Sequence, residues 1–257
     1  MKLRALLTTI LLCLAVNPAF AGFAIINGGG TGGAIGQSVS GSGATATSSA
    51  STVDIPPGSL VVQVAGMRAN ASFTTCSDSV GGNTWSVFAG NQQTGMSFYV
   101  CYSLTSVDLP IGTTFSFTSA NTGVKSNIVA AFSGAAASPL DPTSAGGQST
   151  TNTTSVSIGP SGAWQCPGVT NCNLQIAGFL ALNSGTVTET SGFTSLGTTA
   201  TETHMAYQIT SATTATTYTS TLGTSSNYAG KLVGFDAAVG GGSGSTCTIA
   251  AAGGGVC

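Results

Sequence analysis

The sequence predicts an all-β fold: a two-sheet β-sandwich or jelly roll built from two tandem copies of a four- to five-strand unit. Three observations carry this. Short apolar runs alternate with Thr and Ser. Gly and Pro turn signals interrupt those runs at regular spacing. One pattern of runs and turns occurs twice, over about 52–134 and about 155–238.

The chain opens with the three parts of a secretory signal. Lys2 and Arg4 supply the charged start, residues 6–16 the apolar stretch, and Ala19-Phe20-Ala21 an A-x-A cleavage site. The apolar stretch is several residues short of the roughly 20 that span a bilayer. Removal of residues 1–21 is expected, with no membrane span in the mature chain and a secreted, cell-surface or periplasmic location. Residues 22–50 are rich in Gly, Ser, Ala and Thr and read as a flexible lead-in. Within it, Phe23, Ile25 and Ile26 form an apolar stretch that suits a strand. That strand would dock on this chain or on a neighbour.

The first copy contains SLVVQVAGMRAN (59–70), MSFYVCYSLTS (96–106) and TTFSFTSANTGVKSNIVAAFSG (113–134). The second contains NLQIAGFLALNS (173–184), HMAYQITSAT (204–213) and TTYTSTLGTSSNYAGKLVGFDA (216–237). Leu60, Val62 and Val64 alternate with Val61, Gln63 and Ala65, and Phe115 and Phe117 alternate with Thr114, Ser116 and Thr118. This period of two marks strands. The continuous run Ile128-Val129-Ala130-Ala131-Phe132 suits a strand buried on both faces. One copy, at roughly 80 residues, would bury a marginal core, so the copies are expected to pack face to face as one domain. Residues 138–154 then read as a crossover linker. Residues 239–257 read as a Gly-rich linker and a cysteine-containing tail.

Charge excludes several functions. Charged residues make up 5% of the chain, against about 25% in ordinary soluble domains. After residue 21 only Arg68, Lys125 and Lys231 are basic, against seven acids, for a net charge of −4. No basic patch exists for nucleic acid or anionic lipid. A Thr-rich surface with few charges suits self-association or a place in a larger assembly.

Six cysteines follow the signal: Cys76, Cys101, Cys166, Cys172, Cys247 and Cys257. An even number in an exported chain points to disulfides. Nearest-neighbour pairing would join Cys76 to Cys101, Cys166 to Cys172 across CPGVTNC, and Cys247 to Cys257 within or between chains. No C-x-x-C pair accompanies the single histidine, so neither zinc nor another cofactor is expected.

The candidate sites are few. Trp164, beside the CPGVTNC loop, is the candidate ligand-binding residue: a rigidified loop aromatic can stack on a sugar. The alternative is an aromatic plug at the core rim. Asp78 and Asn83 bracket a tight loop before Trp85, with too few oxygens for calcium and the chemistry of an Asx turn. Trp85 enters a strand and reads as core. Glu202 and His204 share a strand face, but no G-x-S-x-G elbow provides a nucleophile. Glu189 and Glu202 form no recognisable glycosidase pair. No enzyme is expected.

GSLVVQVAG (58–66), DSVGGNTWS (78–86), FYVCYSL (98–104), IVAAFSGAAASPLD (128–141), GFTSLG (192–197) and MAYQIT (205–210) together resemble a group of duplicated β-sandwich proteins. These occur among secreted bacterial proteins and phage structural proteins. The resemblance implies the fold and transfers no catalytic motif. The chain departs from it in its added cysteines and CPGVTNC loop. The expected function is a non-enzymatic exported structural or surface-assembly protein of a matrix, appendage or virion. The competing expectation is a carbohydrate-binding module or adhesin.

Overall fold

The computed structural model describes residues 22–30, 33–40, 43–70, 73–88, 92–93, 95–164, 170–200 and 202–238. The expected signal, Cys166, and the tail with Cys247 and Cys257 lie outside the described residues.

The described chain is all β. Its strands are β1 (Ala24–Ile26), β2 (Gly36–Ser40), β3 (Thr45–Thr47), β4 (Leu60–Met67), β5 (Phe73–Asp78), β6 (Ser86–Phe88), β7 (Gln92–Gln93) and β8 (Met96–Leu104). They continue with β9 (Phe115–Ser119), β10 (Lys125–Ser133), β11 (Ala135–Ile158), β12 (Asn173–Ala181), β13 (Val187–Glu189), β14 (Thr194–Thr198), β15 (Thr203–Thr210) and β16 (Tyr218–Ala237). One large sheet runs β1-β10-β4-β8-β6, with β2 also on β10 and β7 on β8. The other runs β11-β16-β12-β15-β14, with β13 on β16. A small sheet runs β3-β9-β5.

The two large sheets pack face to face as a β-sandwich. Leu60, Val62, Val64, Phe98, Val100, Ile128 and Phe132 from the first sheet meet Leu174, Ile176, Leu180, Met205, Val233 and Phe235 from the second. Each such fully buried side chain contributes on the order of 1.5–3 kcal/mol. The outer faces are covered too. Val61, Val129 and Ala131 pack under Phe115, Ile35 and Leu109, and Ala65, Tyr99 and Cys101 pack under Phe117 and Cys76. On the other side Ala177, Phe179 and Leu232 pack under Val156, Ile158, Tyr218 and Trp164. The expected two-sheet sandwich is therefore the centre of a four-layer stack. Every residue of β4 and of β12 is buried, which explains their near-continuous apolar sequences.

Two expectations about connecting segments are overturned. Residues 22–50 are not merely a lead-in: besides β1, the strand expected at Phe23–Ile26, which docks on its own chain with Ile25 opposite Phe132, they supply β2 and β3. Residues 138–154 are not a crossover linker: they belong to β11, which runs antiparallel to β16 from Ala135 to Ile158 with four register shifts. Thr, Ser and Gly look like loop residues in a composition count. Here their backbone groups complete ladders, and Gly147 passes beneath Ile158 where a Cβ would lie 2.8 Å from its Cα.

The two large sheets share one strand order and one register. Leu60 opposes Phe132 and Leu104, whereas Leu174 opposes Phe235 and Ile209. Val62 opposes Tyr102, and Ile176 opposes Tyr207. Tyr102 thus corresponds to Tyr207. Aligning residues 96–106 with 204–213 from their first residues puts Tyr99 there instead. That slip of three residues would exchange the faces of the strand.

The sheets approach closely at two glycines. A Cβ on Gly178 would lie 2.7 Å from Phe98 Cζ and 3.1 Å from Val64 Cγ1, and one on Gly66 would lie 2.2 Å from Thr203 Oγ1. Gly178→Ala is expected to cost about 1–3 kcal/mol by overpacking. In a Phe98→Leu background, which removes Cζ, that cost should shrink. Urea denaturation of the double-mutant cycle checks this: additive losses would mean the ring does not set the sheet spacing.

Candidate functional site

The outer face of β12, β15 and β16 holds most of the side chains with possible chemistry. The sequence brings them there through strand alternation. Leu174 and Ile176 point into the central core, so Asn173, Gln175 and Phe179 point outward.

His204 is fully buried on this face and stacks on Phe179, with ring centroids 5.1 Å apart. Its Nε2–H donates to Glu189 Oε1 at 2.5 Å, and its Nδ1 accepts from the Thr198 hydroxyl at 2.8 Å, a tautomer assigned from these partners. Tyr218 lies beside Glu189 and Ser220 without normal hydrogen-bond geometry. Burial, and then the charge of Glu189, push its phenol pKa far above the usual value. The expected Glu202–His204 pair does not form. Glu202 faces the first half instead, accepting from Arg68 Nη2 at 2.8 Å and from the Asn183 backbone N–H. A turn at Glu202 (φ 73°) explains the change of direction.

The Glu189–His204 pair joins strands equivalent to those joined by a disulfide in the other half, with Glu189 at the position of Cys76 and His204 two residues from that of Cys101. Cys76 opposes Phe117 as Glu189 opposes Ser220, and Cys101 opposes Gln63 as Ala206 opposes Ala177. The Cys76–Cys101 disulfide spans 25 residues and ties β5 to β8. Glu189 and His204 tie β13 to β15 in the other half. Closing a loop of that length with a disulfide is worth about 3 kcal/mol. Glu189→Ala should cost about 1–3 kcal/mol by leaving the imidazole buried without its acceptor. Chemical denaturation checks this, and an unchanged midpoint would remove the stapling role.

Trp164 does not present a stacking face. It is 2% exposed, and its Nε1–H donates to Thr216 Oγ1 at 3.0 Å. Its ring covers Gly234 so closely that a Cβ there would lie 2.1 Å from Cζ3. The sugar-stacking expectation gives way to the rim plug, because the ring fills the space that Gly234 leaves. Trp85 donates to Asp78 Oδ2 at 3.1 Å and packs edge-on against Phe115. Asp78 also accepts from the backbone N–H groups of Val80 and Gly81 and from Asn83 Nδ2. That carboxylate is spent on its own loop, as an Asx turn requires. Cys172 is disulfide-bonded as well. Among the described residues no group of three or more His, Cys, Asp or Glu could hold a metal ion.

Beside Trp164 lies a cluster that sequence reasoning missed. Asn173 opposes Asp236, and Gln175 opposes Gly234, which also opposes Asp141. Asn173, Gln175 and Asp141 are fully buried. Neither polar atom of Asn173 or Gln175 has a hydrogen-bond partner, and Asp236 Oδ1 has none. Each such group costs about 1–3 kcal/mol when left unmatched. Asp141 Oδ1 accepts from Thr143 N and Oγ1. Burial, and then the Asp141 charge, lift the Asp236 carboxyl to about 6 from 3.8. The missed signal was the strand period itself: residues 173 and 175 are polar on a face otherwise apolar at 177 and 179.

No family model, curated protein or solved structure matches the chain.

A carboxyl raised on folding stabilises the protonated form. Its stability is fully present below the unfolded value of 3.8 and is lost as pH rises through about 6. With a chelator present, Asp236→Asn should therefore raise the melting temperature at pH 8 and lose that advantage towards pH 4. Melting curves across this range check it, and a pH-independent difference would contradict the sign.

Proposed function

We propose that the protein is a non-enzymatic exported structural protein that assembles with copies of itself in a matrix, surface appendage or virion. The observation that carries this reading is the character of the sheet edges. β14 (Thr194–Thr198) closes one edge of the second large sheet, β6 (Ser86–Phe88) lies at an edge of the first, and neither contains a charged residue. Edge strands are ordinarily protected by charge, because their unpaired backbone groups can template another chain. On β6 the side chain of Val87 is exposed, at 41%.

Other observations agree with this reading. The buried disulfide suits an oxidising compartment, and among the described residues no helix is long and apolar enough to cross a membrane. His204, Asp78 and both tryptophans are occupied by packing and hydrogen bonds, so they leave little for an active site. The shared strand order supports descent from a duplication. Its copies would reach further than 52–134 and 155–238, since β1 sits on β10 as β11 sits on β16. The resemblance to duplicated β-sandwich proteins of secreted and phage structural type is part of the same proposal.

Light scattering after size exclusion tests it on the oxidised chain from residue 22 to 257. The expected result is a mass above the monomer that grows with concentration. Thr194→Lys combined with Val87→Lys should shift it towards the monomer. A monomer at every concentration would overturn the assembly role.

A further inference from the structure

We propose that Asp141, Asp236, Asn173 and Gln175 form a binding site for a divalent cation of the calcium class. The proposal is independent of the assembly role. The ladders place these side chains together. Asn173 is directly opposite Asp236, and Gln175 and Asp141 flank Gly234 on the same face. Asn173 and Asp236, directly opposed on one face, have Cβ atoms about 5 Å apart. Gln175 and Asp141 lie diagonal to Asp236 at about 7–8 Å, so one ion beside the Asp236 carboxylate is within reach of all four.

The unmatched atoms point to a ligand. Asn173 and Gln175 are fully buried, and their amides lack any hydrogen-bond partner. Buried polar groups of native proteins are nearly always matched. The chemistry on offer is two carboxylates and two amide oxygens. Two neighbouring carboxylates repel an anion. A neutral water would leave their mutual repulsion in place. A hard cation meets both needs, and Ca²⁺ accepts carboxylate and amide oxygens in irregular geometry, with water completing its six to eight ligands. Thr143 holds Asp141 Oδ1 through two hydrogen bonds, which fixes the carboxylate's orientation.

The other half of the molecule shows that the fold does not require polarity at the positions of Asp141 and Gln175. Ile26 and Val61 both oppose Ala131, as Asp141 and Gln175 both oppose Gly234. Ile26, Val61 and Ala131 pack together in an apolar core. At the positions of Asp141 and Gln175 the first half thus carries hydrocarbon, while Asn173 and Asp236 correspond to Ser59 and Ser133.

Trp164 covers Gly234, so its indole is placed to sensitise bound Tb³⁺, a luminescent calcium substitute. The experiment titrates Tb³⁺ into the oxidised chain from residue 22 to 257, then adds Ca²⁺. Melting is followed in Ca²⁺ and in chelator. Expected are saturable emission that Ca²⁺ displaces and a melting temperature several degrees higher in Ca²⁺. Asp236→Asn and Asn173→Leu should lose both effects, whereas Asp108→Asn should keep them. No saturable emission and no calcium shift in the unmodified chain would overturn the proposal, whatever the variants do. Emission that survives both Asp236→Asn and Asn173→Leu would also overturn it.

Discussion

The structure depends on two central sheets whose middle strands are covered on both faces. Such a strand cannot use alternation to place charge outside, since both sides are inside. β4, β10 and β12 accordingly carry one charged residue between them, Lys125, and the low charge of the chain follows in part from this geometry. The same constraint explains the closeness at Gly66 and Gly178, where a larger residue on one sheet occupies the space left by a glycine on the other. It also explains how the few buried charges are handled. Lys125 donates to the carbonyls of Gly43, Asn121 and Gly123, a cage of backbone oxygens in place of water, while burial lowers its pKa. Lys231 lies 4.9 Å from the centre of the Phe88 ring, across the interface between the halves.

The halves agree where they face each other and differ where they face away. Leu60 and Leu174, Val62 and Ile176, and Phe132 and Phe235 occupy matching ladder positions in one shared core. On the outer faces equivalent strands carry different chemistry. A disulfide joins the layers of one half, and a hydrogen-bonded His–Glu pair joins those of the other. The inner faces are coupled, because any change on one sheet must be absorbed by the other at crystal-like packing density. Each outer face answers only to its own cover layer, so specialisation is less costly there.

This difference also decides what was legible in the sequence. Fold class and the main strands follow from alternation and turn residues, because those signals are local. The Cys76–Cys101 bridge matches nearest-neighbour pairing, one choice among the fifteen that six cysteines allow. The extent of β11 was hidden: Thr, Ser and Gly carry little side-chain signal, and what makes them a strand is the ladder to β16, which is not local. The partner of His204 was hidden for a related reason. Glu202 is nearer in sequence, but the turn at residue 202 directs it to Arg68 while β13 brings Glu189 to the imidazole. Trp164 sits in a polar stretch and reads as exposed until Gly234 is seen beneath its ring.

The acids show which feature the packing constraint does not explain. Asp54 accepts from the Ile111 backbone N–H, Asp78 closes its own loop, Glu189 meets His204, and Glu202 meets Arg68. In each case a donor is matched to the charge. Asp141 also meets donors, from Thr143, but its charge raises the cost of ionising Asp236, beside two amides that match nothing. The other half has isoleucine, valine and alanine at the positions of Asp141, Gln175 and Gly234. A scaffold that holds Asp54, Asp78, Glu189 and Glu202 against donors has no packing reason to collect four oxygen-bearing side chains at one point. The arrangement is intelligible when a cation supplies the missing positive charge.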